Sequence, residues 1–554
     1  MDYLDIIDSW RDNPKLDKEL RKELDSLDGI SLKDAFYTEL KFGTAGLRGL
    51  LGVGTNRINI HVVDRVTKGF ANYLIKNNRD KEIRVAISYD NRRYSKEFAY
   101  EAARVLAANN IKVFIYPNLR PTPMLSFAVR YYKCSGGIMI TASHNPKEYN
   151  GYKVYDSTGA QTNLEDSNNI IAEIENIKNY FNIEATDDKN LIIEIDDELE
   201  KAYLSLVETI GYNKTKGEVK IVYSPLHGTG GTVIVPLLKK HNYNIYPYEP
   251  QMINDPEFAA TKSSNPEEKI TYDPLIDYAK QVNAKAVLVT DPDADRLGVA
   301  ILHDGEFVLL NGNQTASLEL AYILENTKKI PKDGYVFTTI VTSELIKVLA
   351  TSYKLNVVST LTGFKFIGEQ AKLIEGKHLY VFGCEESYGS LIKDFVRDKD
   401  AVQAIYLLTE MINHLAQKGM TLVDYLNQLF AKYGTFYEET TQIALAGISG
   451  LEKINNIMEH FRANPLIIDG YTLLYYDDFE LGYRYLEKGR EKLTLPKSNV
   501  VKFYYNNNLT VIFRPSGTEP KLKIYYGVKT GSVDEAKKIV KDIDKSIASI
   551  IKEI

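Results

Sequence analysis

The segment DPDADR sets three carboxylates, Asp291, Asp293 and Asp295, at alternate positions directly after the apolar run AVLVT. Alternate residues of an extended chain point the same way, so three oxygen donors can converge on one hard cation. Mg2+ takes oxygen ligands and usually keeps a position for a phosphate. Three uncompensated carboxylates this close would repel one another, which favours a metal over a plain acidic turn that caps the next element. A calcium-binding EF-hand does not fit. Counted from Asp291, the positions that need Gly and Glu hold Arg296 and Leu302.

A second polar string, TASHNPKEYNGYK (Thr141 to Lys153), follows the strand-like GGIMIT. It offers the Ser143 hydroxyl, which needs a base or a metal to act as a nucleophile. His144 beside it is a proton carrier or a phosphate contact. Asn145-Pro146 and Asn150-Gly151 are turn pairs that bring Lys153 back to the same edge. The plain alternative is a turn whose Ser and Asn satisfy backbone groups. In RPSGTEPK, Arg514 ends a strand ahead of a small-residue loop, Ser516, Gly517 and Thr518. A guanidinium, hydroxyls and free N–H groups describe a phosphate cradle; the alternative is a hairpin turn.

Glu385 and Ser387 lie two apart in GCEESYG, a spacing that can grip vicinal sugar hydroxyls. Cys384 in that string has no adjacent base to activate it and reads as a small buried residue. Lys365 of LTGFKFIG faces an anion or is a solvated helix lysine. Arg48 of FGTAGLRG is a candidate contact to phosphate or hydroxyl. SPLHGTGG (Ser224 to Gly231) lacks the Lys-Ser/Thr ending of a P-loop, and its His227 reads equally well as structural.

These strings need a frame. The apolar runs IRVAISY (Ile83 to Tyr89), IKVFIY (Ile111 to Tyr116) and GGIMIT (Gly136 to Thr141) alternate with helical stretches at Ser95 to Asn109 and Pro121 to Tyr132. That repetition predicts βαβ units and a largely parallel sheet, which binds ligands at the C-terminal edge of its strands. A second α/β run starts at VKIVYSP (Val219 to Pro225) and includes AKAVLVT. A third has YVFTTIV (Tyr335 to Val341) and HLYVFG (His378 to Gly383), then long helix from Ala401 to Ala431. Residues 1–40 read as amphipathic helix. Toward the end, strands Phe436–Ala444, Val500–Tyr505 and Leu509–Arg514 precede a helix Ser532–Ile551. The expectation is an α/β chain of four domains. Residues 1–208 carry the serine loop, 209–312 the carboxylate loop and 313–434 the Glu385 loop. Residues 435–554 form a small C-terminal α+β domain with the phosphate cradle.

The chain of 554 residues has 68 Lys plus Arg against 74 Asp plus Glu, a net charge of −6, with 44% hydrophobic and 26% charged residues. That is a globular mixture rather than a disordered one, and its acidic balance argues against a nucleic-acid binder. Two cysteines cannot make a disulfide framework or a four-cysteine zinc site, and they fit a reducing compartment. The N-terminus mixes apolar and charged residues, unlike a signal peptide. No apolar run nears the roughly 20 residues that span a bilayer. A cytoplasmic protein with small-molecule partners is expected, with no nucleic acid and no membrane; no oligomer is predicted.

Taken in order, the Gly-rich Arg loop, TASHNP, DPDADR, GFK, CEES and RPSGTEPK resemble the α-D-phosphohexomutase superfamily over nearly the whole chain. The longer phosphoglucomutase branch, which also includes phosphopentomutases, is the nearest match. The resemblance implies four domains around a central cleft, three of them α/β blocks of shared topology with mixed, largely parallel sheets. It implies that Ser143 is the phosphorylated catalytic serine. Asp291, Asp293 and Asp295 then bind Mg2+, with Ser143's phosphate as a further ligand. Arg48 and Arg296 line the reacting end, and Lys153 transfers protons. Glu385 and Ser387 take sugar hydroxyls. Arg514, Ser516, Gly517 and Thr518 hold the phosphate that does not react. Lys365 matches a lysine of the glucomutase-like branch, where another branch has a His.

The implied activity is reversible phosphoryl transfer between glucose 1-phosphate and glucose 6-phosphate, with glucose 1,6-bisphosphate as intermediate and activator. Lys153 must be neutral for part of that cycle, and nearby positive charge is expected to lower its pKa. Pentose and mannose phosphates are rival substrates. A phosphatase and a non-catalytic sugar-phosphate sensor are rivals in kind; retention of Ser143, the three aspartates and Lys153 disfavours the sensor.

Overall fold

The computed structural model describes the chain apart from residues 1–2, 44–45, 80, 214, 216, 446 and 517–520. It divides into two compact units, residues 1–315 with 364–421, and residues 316–363 with 422–554.

The first unit opens with three short helices, α1 (Tyr3–Arg11), α2 (Lys18–Ser26) and α3 (Gly29–Phe36). Pro14 cannot continue α1. Asp17 starts α2 afresh by accepting the N–H groups of Glu19 and Leu20. Trp10 is buried edge-on against Phe36 and Phe181, ring centroids 5.5 and 5.2 Å away, and so pins α1 to α3 and to the 181 region.

The first sheet comes from β1 (Leu47–Leu50), α4 (Ile60–Asn77), β2 (Arg84–Tyr89), α5 (Ser95–Ala108), β3 (Lys112–Ile115), α6 (Thr122–Tyr131), β4 (Gly136–Ile140), β5 (Tyr149–Asp156) and β6 (Ile192–Glu194). Its strand order is β1-β5-β4-β2-β3-β6. Strands β4, β2, β3 and β6 run parallel, β5 runs antiparallel to β4, and β1 antiparallel to β5. The parallel strands β2 and β4 are buried on both faces, which is why they read as unbroken apolar runs.

The second sheet repeats the plan with β7 (Ile221–Ser224), β8 (Ile245–Pro247), β9 (Ala286–Thr290), β10 (Leu297–His303) and β11 (Glu306–Leu310), in the order β11-β10-β9-β7-β8. Strands β8, β7 and β9 are parallel, and β10 and β11 turn back antiparallel. In both sheets the chemistry-bearing string is the loop that turns a parallel strand into its antiparallel neighbour. It spans 141–148 between β4 and β5, and 291–296 between β9 and β10. A third strand, Leu379–Cys384, turns back through 385–389 into Ser390–Leu391, pairing Cys384 with Ser390. Gly151 on β5 permits one such loop to fold close, because a Cβ there would fall 2.4 Å from the Thr141 carbonyl oxygen.

In the second unit, strands Gly334–Thr339 and Asn356–Thr360 pair in parallel. The C-terminal part is a seven-stranded antiparallel sheet. Helices Gly447–Ala463 and Val533–Glu553 pack on it, with Ile457, Phe461, Val540 and Ile547 sharing a core with Phe503, Val511 and Phe513. Its strands Leu473–Asp478, Tyr483–Leu486 and Arg490–Lys492 escape the sequence reading: they are tyrosine-rich or charged and partly exposed, without an alternating apolar face. Among the described residues no helix is long and apolar enough to cross a membrane.

Candidate active site

The loop after β4 bends at Ser143, whose φ of 52° lies in the left-handed region that strains any residue with a side chain. Its N–H donates to Thr141 Oγ1 at 2.8 Å. The side chain is buried; its Oγ donates to Asp291 Oδ2 at 2.9 Å and lies 3.2 Å from His144 Nδ1. The loop after β9 folds onto itself, with Asp291 Oδ1 accepting the N–H groups of Asp295 and Arg296 at 3.1 and 3.0 Å. Asp291, Asp293 and Asp295 are all buried and each offers an oxygen within 4.8 Å of the others.

Two buried lysines face this negative charge. Lys153, opposite Met139 in the β4–β5 ladder, reaches Asp293 Oδ2 at 2.8 Å and Asp295 Oδ2 at 3.7 Å. Lys399 reaches Asp295 Oδ2 at 3.1 Å and Asp398 Oδ1 at 3.1 Å. It is placed by the buried helix Ala401–Ala416, whose first N–H groups are capped by Asp400. Thr122, at the start of α6, donates its N–H to the Asp293 carbonyl and its Oγ1 to Asp293 Oδ2 at 2.8 Å. The positive end of α6 therefore points at the triad.

Burial lifts the Asp291 carboxyl well above its ordinary range, and Asp293 and Asp295 add to the lift. Burial would raise Asp293 as well, but Lys153 overcomes it and holds that carboxyl below its ordinary value. For Lys153, burial favours the neutral amine, yet Asp293 and Asp295 outweigh it and the pKa rises. In the protein alone the carboxylates within reach dominate over the surrounding cations, whereas the lowering expected for Lys153 includes the charge of a bound Mg2+. Burial, then Arg296 and Arg48, push His144 well below its ordinary value, so its imidazole is neutral near pH 7.

Asp293 Oδ1 and Asp295 Oδ1 are buried without a hydrogen-bond partner among the described residues. Buried carboxylate oxygens without donors are costly. Oxygen-only donors from three carboxylates are the ligand chemistry of a hard divalent cation, so the triad fits Mg2+.

Arg296 of the carboxylate loop bonds Glu267 at 2.6 Å, and the exposed Arg48 on β1 donates to Asn145 Oδ1 in the serine loop at 2.9 Å. The 385–389 loop, with Glu385 buried and Ser387 half-buried, is tied to the carboxylate loop where the Leu297 N–H donates to the Tyr388 carbonyl at 3.0 Å. Lys365 lies on helix Phe364–Ile374, 4.9 Å from the centre of the Phe366 ring; burial, opposed by Glu369, lowers it to about 8. Arg514 and Ser516 belong to the second unit. They sit at a hairpin between strands Thr510–Pro515 and Lys521–Thr530, with Arg514 Nη1 donating to the Tyr525 hydroxyl at 3.1 Å and the Ser516 N–H to the Lys521 carbonyl at 2.7 Å. Gly517 and Thr518 lie outside the described residues. His227 is structural: Nδ1–H donates to the Ile253 carbonyl and Nε2 accepts the Ala260 N–H.

Sequence reasoning missed Thr122 and Lys399. For Lys399 a signal existed. Arg397 to Asp400 are four charged residues in a row ahead of an apolar helix, and all four are buried. Charge buried in that density needs partners of opposite sign.

Phosphoryl transfer asks for positioning and charge neutralisation more than covalent machinery, and the site sets a hydroxyl beside three buried carboxylates and two buried lysines. The fold and the site define an enzyme of the phosphotransferase kind on an α/β frame. Residues 39–181, 201–304 and 311–433 match the phosphoglucomutase/phosphomannomutase alpha/beta/alpha domains I, II and III, and residues 480–546 match the C-terminal domain of the same family. A phosphoglucomutase of Staphylococcus epidermidis is 37% identical over 511 residues, 91% of this chain and 93% of that protein. One from Staphylococcus haemolyticus is 37% identical over 522 residues, 92% and 94% of the two chains. The structure of pp63/parafusin, a phosphoglucomutase from Paramecium, shares the fold with a TM-score of 0.72 at 20% identity, over 93% of this chain and 95% of that one. The chain belongs to the phosphoglucomutase/phosphomannomutase family, within the α-D-phosphohexomutase superfamily.

Proposed function

We propose that the protein is a phosphoglucomutase, interconverting glucose 1-phosphate and glucose 6-phosphate through glucose 1,6-bisphosphate. The observation that carries this reading is the 2.9 Å hydrogen bond from Ser143 Oγ to Asp291 Oδ2 within a buried carboxylate triad. The Staphylococcus relatives that bear the name support the choice of sugar.

In this reading phospho-Ser143 gives its phosphoryl group to the free hydroxyl of a sugar monophosphate. The serine O–P bond breaks, a sugar O–P bond forms, and the resulting bisphosphate turns and returns its other phosphoryl group to Ser143. Asp291, Asp293 and Asp295, with the oxygen of Ser143, would hold Mg2+, which when bound supplies neutralisation of phosphate charge. Lys153 is the proton carrier: the sugar hydroxyl loses a proton as its new bond forms, and the serine oxygen gains one. Neutral His144 lies beside that oxygen. Arg48 and Arg296 line the reacting end, and Lys365 adds positive charge for the anionic substrate. Glu385 and Ser387 hold sugar hydroxyls, and Arg514, Ser516, Gly517 and Thr518 hold the other phosphate. We assign the enzyme to the cytoplasm, a reading consistent with two buried cysteines, Cys134 and Cys384.

The test is phosphorus NMR on the purified protein with Mg2+, a trace of glucose 1,6-bisphosphate, and glucose 1-phosphate mixed with ribose 1-phosphate. Conversion of the glucose ester to its 6-phosphate is expected. Faster conversion of the ribose ester moves the assignment to pentose phosphates, and release of inorganic phosphate alone replaces the mutase with a hydrolase.

A further inference from the structure

We infer that Arg92 is the positioning residue for Ser143, the clamp that keeps the reactive serine in a backbone conformation it would not hold alone. The inference rests on the mutase reading for its kinetic consequence and on geometry for the rest.

Arg92 comes just after β2, the strand beside β4 in the sheet. Its side chain has no solvent exposure. Nη2 donates to the carbonyls of Ser143 and Asn145. Nη1 donates to the carbonyls of Pro146 and Tyr149 at 2.8 and 3.0 Å. One guanidinium thus gathers four carbonyls of a single loop, from the serine to the first residue of β5. The clamp is itself fixed. Asp90 Oδ2 lies 3.3 Å from Arg92 Nε, while Asp90 Oδ1 accepts the Arg92 N–H at 3.0 Å and the Ser95 hydroxyl at 2.7 Å. The Phe258 ring covers the guanidinium, 5.3 Å from its carbon to the ring centre.

The arrangement has a purpose that packing alone does not explain. A buried cation is costly, and only a group that must reach several acceptors at once justifies an arginine there. Ser143 needs such help because its φ of 52° is unfavourable for a serine. With its carbonyls drawn onto Arg92, the loop presents Ser143 Oγ to Asp291 on the other side. Arg92 makes no hydrogen bond to that oxygen or to the carboxylate triad among the described residues; its guanidinium bonds the loop's main chain, which is a placing contact. A lysine would keep the charge but offers no planar fork, so Arg92→Lys separates charge from geometry.

The test compares the wild type with Arg92→Lys and Asp90→Asn, each checked for a native melting transition. For Arg92→Lys, kcat is expected to fall roughly a hundredfold, the scale of a misplacement of about 1 Å, with KM for glucose 1-phosphate within about threefold. Amide hydrogen exchange in peptides covering 141–149 should speed up roughly tenfold, while peptides covering 291–296 keep their rate. Asp90→Asn keeps the guanidinium but loosens its anchor, and should move both readouts the same way by less. It carries the test if Arg92→Lys does not fold. A kcat within about twofold of wild type in a folded variant overturns the clamp. So does a kcat loss with unchanged exchange in 141–149. If the wild type converts no glucose phosphate, the mutase reading fails, and the exchange measurement still decides whether Arg92 holds the loop.

Discussion

Ser143 and Ala294 occupy equivalent places in two separate sheets. Each lies in the loop where a parallel strand turns back into an antiparallel neighbour, and each has a positive φ, 52° and 51°. Tyr388 repeats the pattern in the 385–389 loop with a φ of 66°. Left-handed residues other than glycine are uncommon and persist only where their surroundings hold them. Here one marks each of the three loops, and between them those loops contribute the serine, the carboxylates and Glu385.

Replacing Ser143 by Ala should remove turnover, by on the order of 10³-fold or more, with the melting temperature within about 2 °C of wild type. Alanine meets the same left-handed strain as serine and loses only the hydroxyl. Intact-mass spectrometry after incubation with glucose 1,6-bisphosphate should find a phosphate on the wild type and none on the variant. A variant that still gains phosphate would reassign the nucleophile.

Mg2+ should stabilise the first unit, because the triad and the Ser143 oxygen beside it come together only when the two loops are folded. At a free concentration a hundred times its dissociation constant the gain is about 2.7 kcal/mol. Calorimetric melting with and without Mg2+ measures it. Asp291→Asn should abolish the shift; an equal shift in that variant would place the metal elsewhere.

Lys365 titrates at about 8, because burial opposes its charge. Below that pH its ammonium attracts an anionic substrate, and above it the attraction fades. KM for glucose 1-phosphate should therefore climb as pH rises past 8, and Lys365→Arg should flatten the climb. An identical KM profile in the arginine variant would remove Lys365 from substrate binding.

His61 couples stability to acid. Burial lowers its pKa from 6.5 to about 4, and Nε2 accepts the Asp17 N–H at 3.3 Å. Between those values the unfolded chain takes up a proton that the folded chain refuses, so stability falls as pH drops from 6.5 and levels off below 4. The full loss is about 3 kcal/mol. His61→Gln, which keeps an acceptor, should reduce this slope. The chain's single tryptophan, Trp10, lies 5.9 Å from the His61 ring and reports the transition by fluorescence. Equal slopes in the two proteins would refute the assignment.

Some of this architecture is legible in the chain because it is written locally. Asp291, Asp293 and Asp295 announce themselves by spacing, and the buried parallel strands by unbroken apolar runs. Lys153 is placed by the turn at Asn145-Pro146, which returns β5 beside β4, whereas Asn150-Gly151, expected to be a second turn, lies within β5 itself. Arg92 leaves no such mark, since its partners are main-chain carbonyls, which every residue has. Thr122 matters only because α6 ends against another block, a contact no local pattern encodes. The N-terminal periodicity is real, but Pro14 with the Asp17 cap, and extended backbone at Leu27 and Asp28, divide one apparent helix into three. At the other end, strands such as YRYL carry partly exposed tyrosines and charge, and their pairing is decided by neighbours already in place.

The three loops also set an order in time. The ribosome delivers Ser143 first, then the carboxylates 148 residues on from Ser143 to Asp291, and Lys399 later still. At roughly 5–20 residues per second, the serine waits about 7–30 s for its first carboxylate. A nascent first block can fold around its own sheet while its serine has neither metal ligands nor Thr122's partner. The site is thus complete only when stretches far apart in the chain have come together, and no single stretch carries it.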